Sequence, residues 1–285
     1  MTRKYEFTGE TILYYGRTLH RIRRLSDGDV GGWIESEPNL SHYGDAWVVG
    51  KAVVYGDARV YGDARVGGKA VVCDKAEVCG NARVGGDAWV YGNTRVYGEA
   101  VVCGDAVVGG DAWVYGNTRV YGEAVVCGDA VVCGDAWVYG DAWVYGNTRV
   151  YGHARVYGHA RVFGYARVGG EARVYGDAWV GGDAWMYGEA VVFGDARVFG
   201  DAVVCGHARV SVGNISQSSH VVYVSGYVFH ITATPDGVQI GCEWRDWPTW
   251  LSMRKAEAVA LGLPAEEFAA TKVLIRTLYK RLTKK

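Results

Sequence analysis

The chain has 285 residues, and its 30 Lys and Arg nearly balance 31 Asp and Glu, giving a formal net charge of −1. That balance excludes a polyanion and a general nucleic-acid binder, which needs a basic surface to displace counterions. No apolar run reaches the roughly 18 residues of a membrane-spanning helix, and Met1 to Phe7 lacks the apolar core of a signal peptide, so no membrane partner is predicted.

Residues 1–43 carry strand-like runs from Tyr5 to Phe7, Thr11 to Tyr15 and Thr18 to Leu25, broken by Gly9, Gly16 and Asp27-Gly28. The segments Gly31-Gly32-Trp33-Ile34-Glu35 and Asn39-Leu40-Ser41 then lead into the body of the chain. The basic cluster of His20, Arg21, Arg23 and Arg24 is read as a solvated strand face rather than an anion site.

Residues 44–211 are 28 consecutive hexads of the form Gly-Asp-Ala-Arg/Trp-Val-Tyr, and Gly opens all of them except the one that begins at Asp74. A period of six is a multiple of the strand period of two, so each position keeps its side from hexad to hexad. Position 3 is Ala or Thr and position 5 is Val, or Met at Met186. These small residues share one side of a short strand and suit a narrow interior. Gly followed by a polar residue suits a tight corner. The expected architecture is mainly β: a solenoid with one corner per hexad, capped by residues 1–43 and 212–285 because its strand edges need cover. The period alone also fits a flattened coil of two hexads per turn.

The pattern resembles the hexapeptide-repeat superfamily, whose aliphatic residue is followed four places later by a small one, as in Val60 then Ala64 or Val138 then Ala142. One departure is that Tyr, Cys, Phe or Gly stands between the aliphatic residue and the next Gly. The resemblance implies a left-handed parallel β-helix with three hexads per turn, about nine turns, and trimers. The Gly31–Glu35 motif, the Asn39-Leu40-Ser41 segment, the hexads and the tail stretch from Tyr227 to Trp244 are together similar to uncharacterised phage and prophage hexapeptide-repeat proteins. That resemblance implies a viral context and brings no activity or site residues.

Residues 86–108 and 110–132 are identical, an offset of four whole hexads. With three hexads per turn the copy lands on a different face, so Trp89 and Trp113 point in different directions. This favours a scaffold over a catalyst with one dedicated face.

Residues 212–285 read as a small α+β domain. Strands are predicted from His220 to Val224, Tyr227 to Ala233 and Val238 to Glu243, with Thr234-Pro235-Asp236-Gly237 as a turn. A helix is predicted from Asp246 to Gly262 and another from Pro264, with Phe268, Val273, Leu274, Leu278 and Leu282 as its apolar face. The end from Lys272 holds six basic residues and no acidic one, which suits a helix C-terminus and is not by itself a nucleic-acid signal.

Position 4 faces solvent. Reading it at every third hexad gives Arg119, Trp137 and Arg155 on one face and Trp143, Arg161, Trp179 and Arg197 on the next. Such ladders gain cation–π stacking, and exposed aromatic patches also mark interaction sites. Trp137, Trp143, Arg161, Trp179 and Arg197, with Trp244, Trp247 and Trp250 in the tail, are therefore the expected contact residues. Six of the seven cysteines (Cys73, Cys79, Cys103, Cys127, Cys133 and Cys205) occupy position 6, and none stacks on another one turn away. Neither disulfides nor a thiolate metal site is expected, and the protein reads as cytoplasmic.

Hexapeptide-repeat acyltransferases resemble this coil and use a His as general base. The solenoid histidines His153, His159 and His207 all stand at corner position 2, with no extruded loop and no acidic partner evident in the sequence; His20 and His230 lie in the flanking segments. No catalytic residue, cofactor or metal is assigned. The reading is a non-enzymatic phage- or prophage-type accessory protein, an oligomeric scaffold that binds a bacterial or viral macromolecule; an acyl-CoA-dependent acyltransferase is the alternative.

Overall fold

The computed structural model describes residues 3–211, 214–215, 222–224, 231–241 and 243–283. The chain is mainly β, a parallel solenoid of about ten turns with N-terminal strands and a small C-terminal region of helices and sheet. It divides into two compact units, residues 1–153 and 154–285.

In the first unit each hexad contributes a short strand at positions 4 and 5, and each strand pairs in parallel with the one three hexads on. Arg83 and Val84 pair with Val101 and Val102, and Trp89 and Val90 with Val107 and Val108. This register selects three hexads per turn over the flattened alternative. The outward positions form three rows. The first holds Trp47, Arg65, Arg83, Val101, Arg119 and Trp137. The second holds Val53, Val71, Trp89, Val107, Val125 and Trp143. The third holds Arg59, Glu77, Arg95, Trp113, Val131 and Arg149. The duplicated block does place Trp89 and Trp113 in different rows.

Positions 3 and 5 form the core throughout, with Ala and Val side chains fully buried. Corner amides bond to the next coil, as Asp87 N donates to Gly104 O at 2.8 Å. Corner glycines adopt left-handed φ, and Asp74, at φ 60°, is the one other residue type at a corner. Asp74 Oδ2 accepts from the Gly92 amide at 3.1 Å, so the side chain takes up a corner donor of the next coil.

The N-terminal segment forms a long antiparallel hairpin, β1 (Tyr5–Tyr14) and β2 (Arg17–Arg24), followed by β3 (Val30–Ile34). β3 is antiparallel to β2 but parallel to the coil, with Trp33 and Ile34 opposite Val53 and Val54. The Gly-Gly-Trp motif has a steric cause. A β-carbon on Gly31 or Gly32 would stand 2.6 Å from the carbonyl oxygen of Val48 or Ala52. Asn39, fully buried, continues the coil's hydrogen bonding with its side chain. Its Nδ2 donates to Gly56 O and Ala58 O at 2.9 Å each, and its Oδ1 accepts from Ser36 N at 2.8 Å.

In the second unit the same register continues, with Arg161, Trp179 and Arg197 in one row, Arg155, Arg173, Val191 and Arg209 in another, and Arg167, Trp185 and Val203 in the third; Asn214 and Ile215 pair in parallel with Arg197 and Val198. The tail folds as an antiparallel sheet of β4 (Val222–Val224), β5 (Ile231–Thr234), β6 (Gly237–Ile240) and β7 (Glu243–Asp246). The strand expected from Val238 to Glu243 is instead two strands, because Gly241 at φ 59° turns the chain between them. Most of the remaining residues from 216 to 230, His230 among them, and Cys242 lie outside the described residues.

The expected helix from Asp246 is also two, α1 (Trp247–Ser252) and α2 (Lys255–Ala260). Asp246 caps α1 by accepting from Thr249 N, while Glu257 accepts from Arg254 N and so starts a second helix. The last helix, α3 (Phe268–Thr283), begins later than Pro264 and buries Thr271, Ile275, Leu278 and Leu282. Val273, expected in its apolar face, points outward and is 63 % exposed. No helix of the described residues is long and apolar enough to cross a membrane.

Candidate interaction faces

The outward row of each sheet is where the chain presents chemistry. Arg and Trp stack at several neighbouring positions within each unit. In the first unit the guanidinium of Arg95 lies 5.0 Å from the Trp113 ring centre, and that of Arg119 lies 4.8 Å from Trp137. In the second, Trp179 has Arg161 at 5.0 Å on one side and Arg197 at 5.1 Å on the other, and Arg167 lies 4.6 Å from Trp185. The structure thus brings together Arg161, Trp179 and Arg197 as the three-hexad spacing predicts, and pairs Trp137 with Arg119. Each contact is within cation–π range.

Position 6 builds a second ladder at the strand ends. Tyr97 stacks on Tyr115 at 4.9 Å, Tyr121 on Tyr139 at 5.0 Å, and Tyr157, Tyr175 and Phe193 follow one another at 4.9 and 5.2 Å. Indole rings meet this ladder edge-on, as Trp137 meets Tyr121 at 6.3 Å. These contacts restrain side-chain rotation along the faces.

The seven solenoid Trp residues are not equivalent. Trp89, Trp113, Trp143 and Trp185 are between 40 and 47 % exposed, and Trp137 and Trp179 are half-buried. Trp47 is buried, with Arg24 at 4.4 Å over its ring and its Nε1 donating to Asp29 Oδ2 at 2.9 Å.

The tail tryptophans require a correction. Trp247 and Trp250 are each only 4 % exposed and belong to the tail's hydrophobic core. The Trp247 Nε1 donates to Pro235 O at 2.8 Å and the Trp250 Nε1 to Val238 O at 2.8 Å. A buried indole bonded to its own sheet is a packing element and is not presented to a partner. Trp244 is half-buried.

The histidines also depart from expectation. His153 Nδ1 lies 3.7 Å from Asp135 Oδ2, and His207 Nδ1 lies 3.1 Å from Glu189 Oε2. Each carboxylate stands one full turn upstream, a signal that the register contains but a search for sequence neighbours misses. Both pairs are exposed at outer corners. An open depression of about 520 Å³ beside the N-terminal hairpin is lined by Arg17, Glu35, Asp57, Asp74 and Lys75. Its principal charges are engaged structurally: Arg17 donates to Glu35 at 2.9 Å, and Glu35 accepts from the Gly56 amide at 2.7 Å. The six described cysteines are free thiols, and burial pushes those of Cys73, Cys103 and Cys127 up, which disfavours the nucleophilic thiolate.

A parallel coil with a three-hexad register and outward aromatic and basic rows defines a hexapeptide-repeat-like β-solenoid. Residues 58–74, 154–170 and 166–182 match the family described as the YdcK beta solenoid repeat. No curated protein matches the chain.

Proposed function

We propose that this chain is a non-enzymatic scaffold of phage or prophage type, a rigid β-solenoid that binds a bacterial or viral macromolecule through its outward Trp and Arg rows. The observation that carries this reading is the row of Arg161, Trp179 and Arg197, where an indole is held between two guanidinium groups at 5.0 and 5.1 Å. Trp and Arg are among the side chains most enriched at binding hot spots, and rings already held in place lose less freedom on binding. In the tail, Trp244 is the contact that remains to the proposal. Self-association, with a trimer as the arrangement that the superfamily resemblance implies, would present several such rows on one particle.

Native mass spectrometry of tagged protein recovered from lysogenic bacterial cells tests this reading. A stoichiometric bacterial or viral macromolecule that is lost when Trp137, Trp143 and Trp179 become Ala supports it. Retention of that macromolecule by the triple variant overturns the role of the rows.

One observation favours a second reading as an acyl-CoA-dependent acyltransferase. The 3.1 Å approach of His207 to Glu189 is an arrangement in which a carboxylate orients an imidazole as general base. That reading requires saturable acetyl-CoA binding and loss of turnover in His207→Ala; absence of any acyl-CoA binding at millimolar concentration ends it.

A further inference from the structure

The second row of the first unit differs from the other two. Its outward residues, from Val53 through Val71, Trp89, Val107 and Val125 to Trp143, include no charged side chain. Part of this apolar face is covered. Leu19 of the hairpin packs on Val53, Val71 and Cys73, with Ile12 and Tyr14 beside it. The cover then runs out. Tyr15 reaches Trp89 edge-on at 6.5 Å, while Trp89 is 40 % and Trp143 47 % exposed, with Val107 and Val125 half-buried between them.

The borders of the uncovered part are acidic. Asp87, paired with Lys69 Nζ at 3.1 Å, Asp105 and Glu123 occupy successive coils at the corner before these strands, and Asp111 and Asp129 stand at the corner after them, all exposed. Like-charged borders oppose two copies of this face meeting each other. The complementary surface joins apolar contact to basic groups. The chain carries such a surface on α3. Val273 is 63 % exposed, and exposed Arg276, Thr277 and Lys280 follow it at the i+3, i+4 and i+7 spacing of one helix face. Arg281 lies alongside, and Lys272 to Lys285 contains no acidic residue.

We infer that the outward stripe of α3 from a second copy, Val273, Arg276 and Lys280, docks on the apolar face from Trp89 to Trp143. The contact is heterologous, between two different patches, so it closes as a ring when the rotation allows and otherwise extends. It rests on the self-association in the proposal above and shares Trp143 with its Trp residues, but Trp89, Val125, Arg276 and Lys280 have no part in that proposal, so variants there make the two fail separately.

Sedimentation velocity of the full chain over a wide concentration range tests it, at low and high salt. The expected result is reversible association that weakens with salt, because the flanking ion pairs are screened. Trp89→Ser on the face, or Arg276→Glu with Lys280→Glu on the helix, should each weaken association by at least about tenfold. Val125→Asp is a second face variant, and circular dichroism shows whether each variant retains the wild-type fold. The decisive step is to mix a face variant with the helix variant. At a concentration where each is monomeric alone, the mixture forms a 1:1 dimer through the one intact face and the one intact helix. A wild-type chain that stays monomeric, an oligomer that survives both sets of substitutions, or a mixture without the dimer overturns this contact; the surviving oligomer would still leave the self-association of the proposed function standing.

Discussion

Gly86 and Gly104 stack corner on corner: a β-carbon added to Gly86 would stand 2.7 Å from both the amide nitrogen and the carbonyl oxygen of Gly104. Gly86 also sits at φ +66°, where L side chains are strained. Its neighbour Gly85 lacks both constraints, with nothing within 4 Å of an added β-carbon. Gly86→Ala should therefore cost about 1–3 kcal/mol, as left-handed strain plus backbone displacement. Gly85→Ala should fall within roughly 0.5 kcal/mol of wild type. Urea melts of the two adjacent variants check this, and equal effects would remove the corner-stacking explanation.

Asn39 spends its side chain on three backbone partners, Ser36 N, Gly56 O and Ala58 O. Asn39→Ala leaves buried groups unsatisfied and should cost about 1–3 kcal/mol or more. Asn39→Asp keeps the acceptor but loses the donors that the two carbonyls need, so it should rescue nothing. Thermal unfolding of both variants decides the matter.

The tail and the rows should separate stability from binding. Trp250→Ala opens a cavity in the tail core and should destabilise that region by about 3–5 kcal/mol. Trp179→Ala removes an outward ring. A double-mutant cycle between Trp179 and Arg197 should return a coupling of about 0.5–1 kcal/mol, read by chemical denaturation. A coupling near zero would mean that the ladder contributes nothing to the coil.

Lys4 gives a pH signature. Its Nζ donates to Ala46 O at 2.7 Å and Gly44 O at 3.2 Å. Burial, and then the Arg24 charge, pull its ammonium down from 10.5 to about 8. The unfolded chain thus binds more protons than the folded one between about pH 8 and 10.5, so this group makes stability rise with pH across that window. Tyr5 works in the opposite direction. Burial pushes its phenol above 10, so stability is lost as the unfolded chain's phenol ionises. Lys4→Met should flatten the rise between about pH 8 and 10 and leave the loss at higher pH. An unchanged slope in the variant would exclude Lys4 as its source.

Much of the coil is legible in six residues. Small residues at positions 3 and 5 and glycine at the corner specify a narrow interior through period-two alternation and left-handed backbone, both local properties. The hairpin turn at Pro235-Asp236 and the Asp246 cap are legible for the same reason. The sites were less so. Val273 fits an apolar list but lies 63 % exposed, because α3 turns Thr271, Ile275 and Leu278 inward instead. His207 acquires Glu189 only through the three-hexad register.

What only the tertiary structure decided is which outward residues find cover. Trp47 and Trp89 stand in the same Gly-Asp-Ala-Trp-Val context, yet one is 3 % and the other 40 % exposed. The hexad dictates that each indole points out of the coil, since strand alternation is a property of adjacent residues. Whether water or protein meets it depends on segments distant in sequence: Arg24 and Asp29 close over Trp47, while the hairpin reaches Trp89 only at the edge of Tyr15.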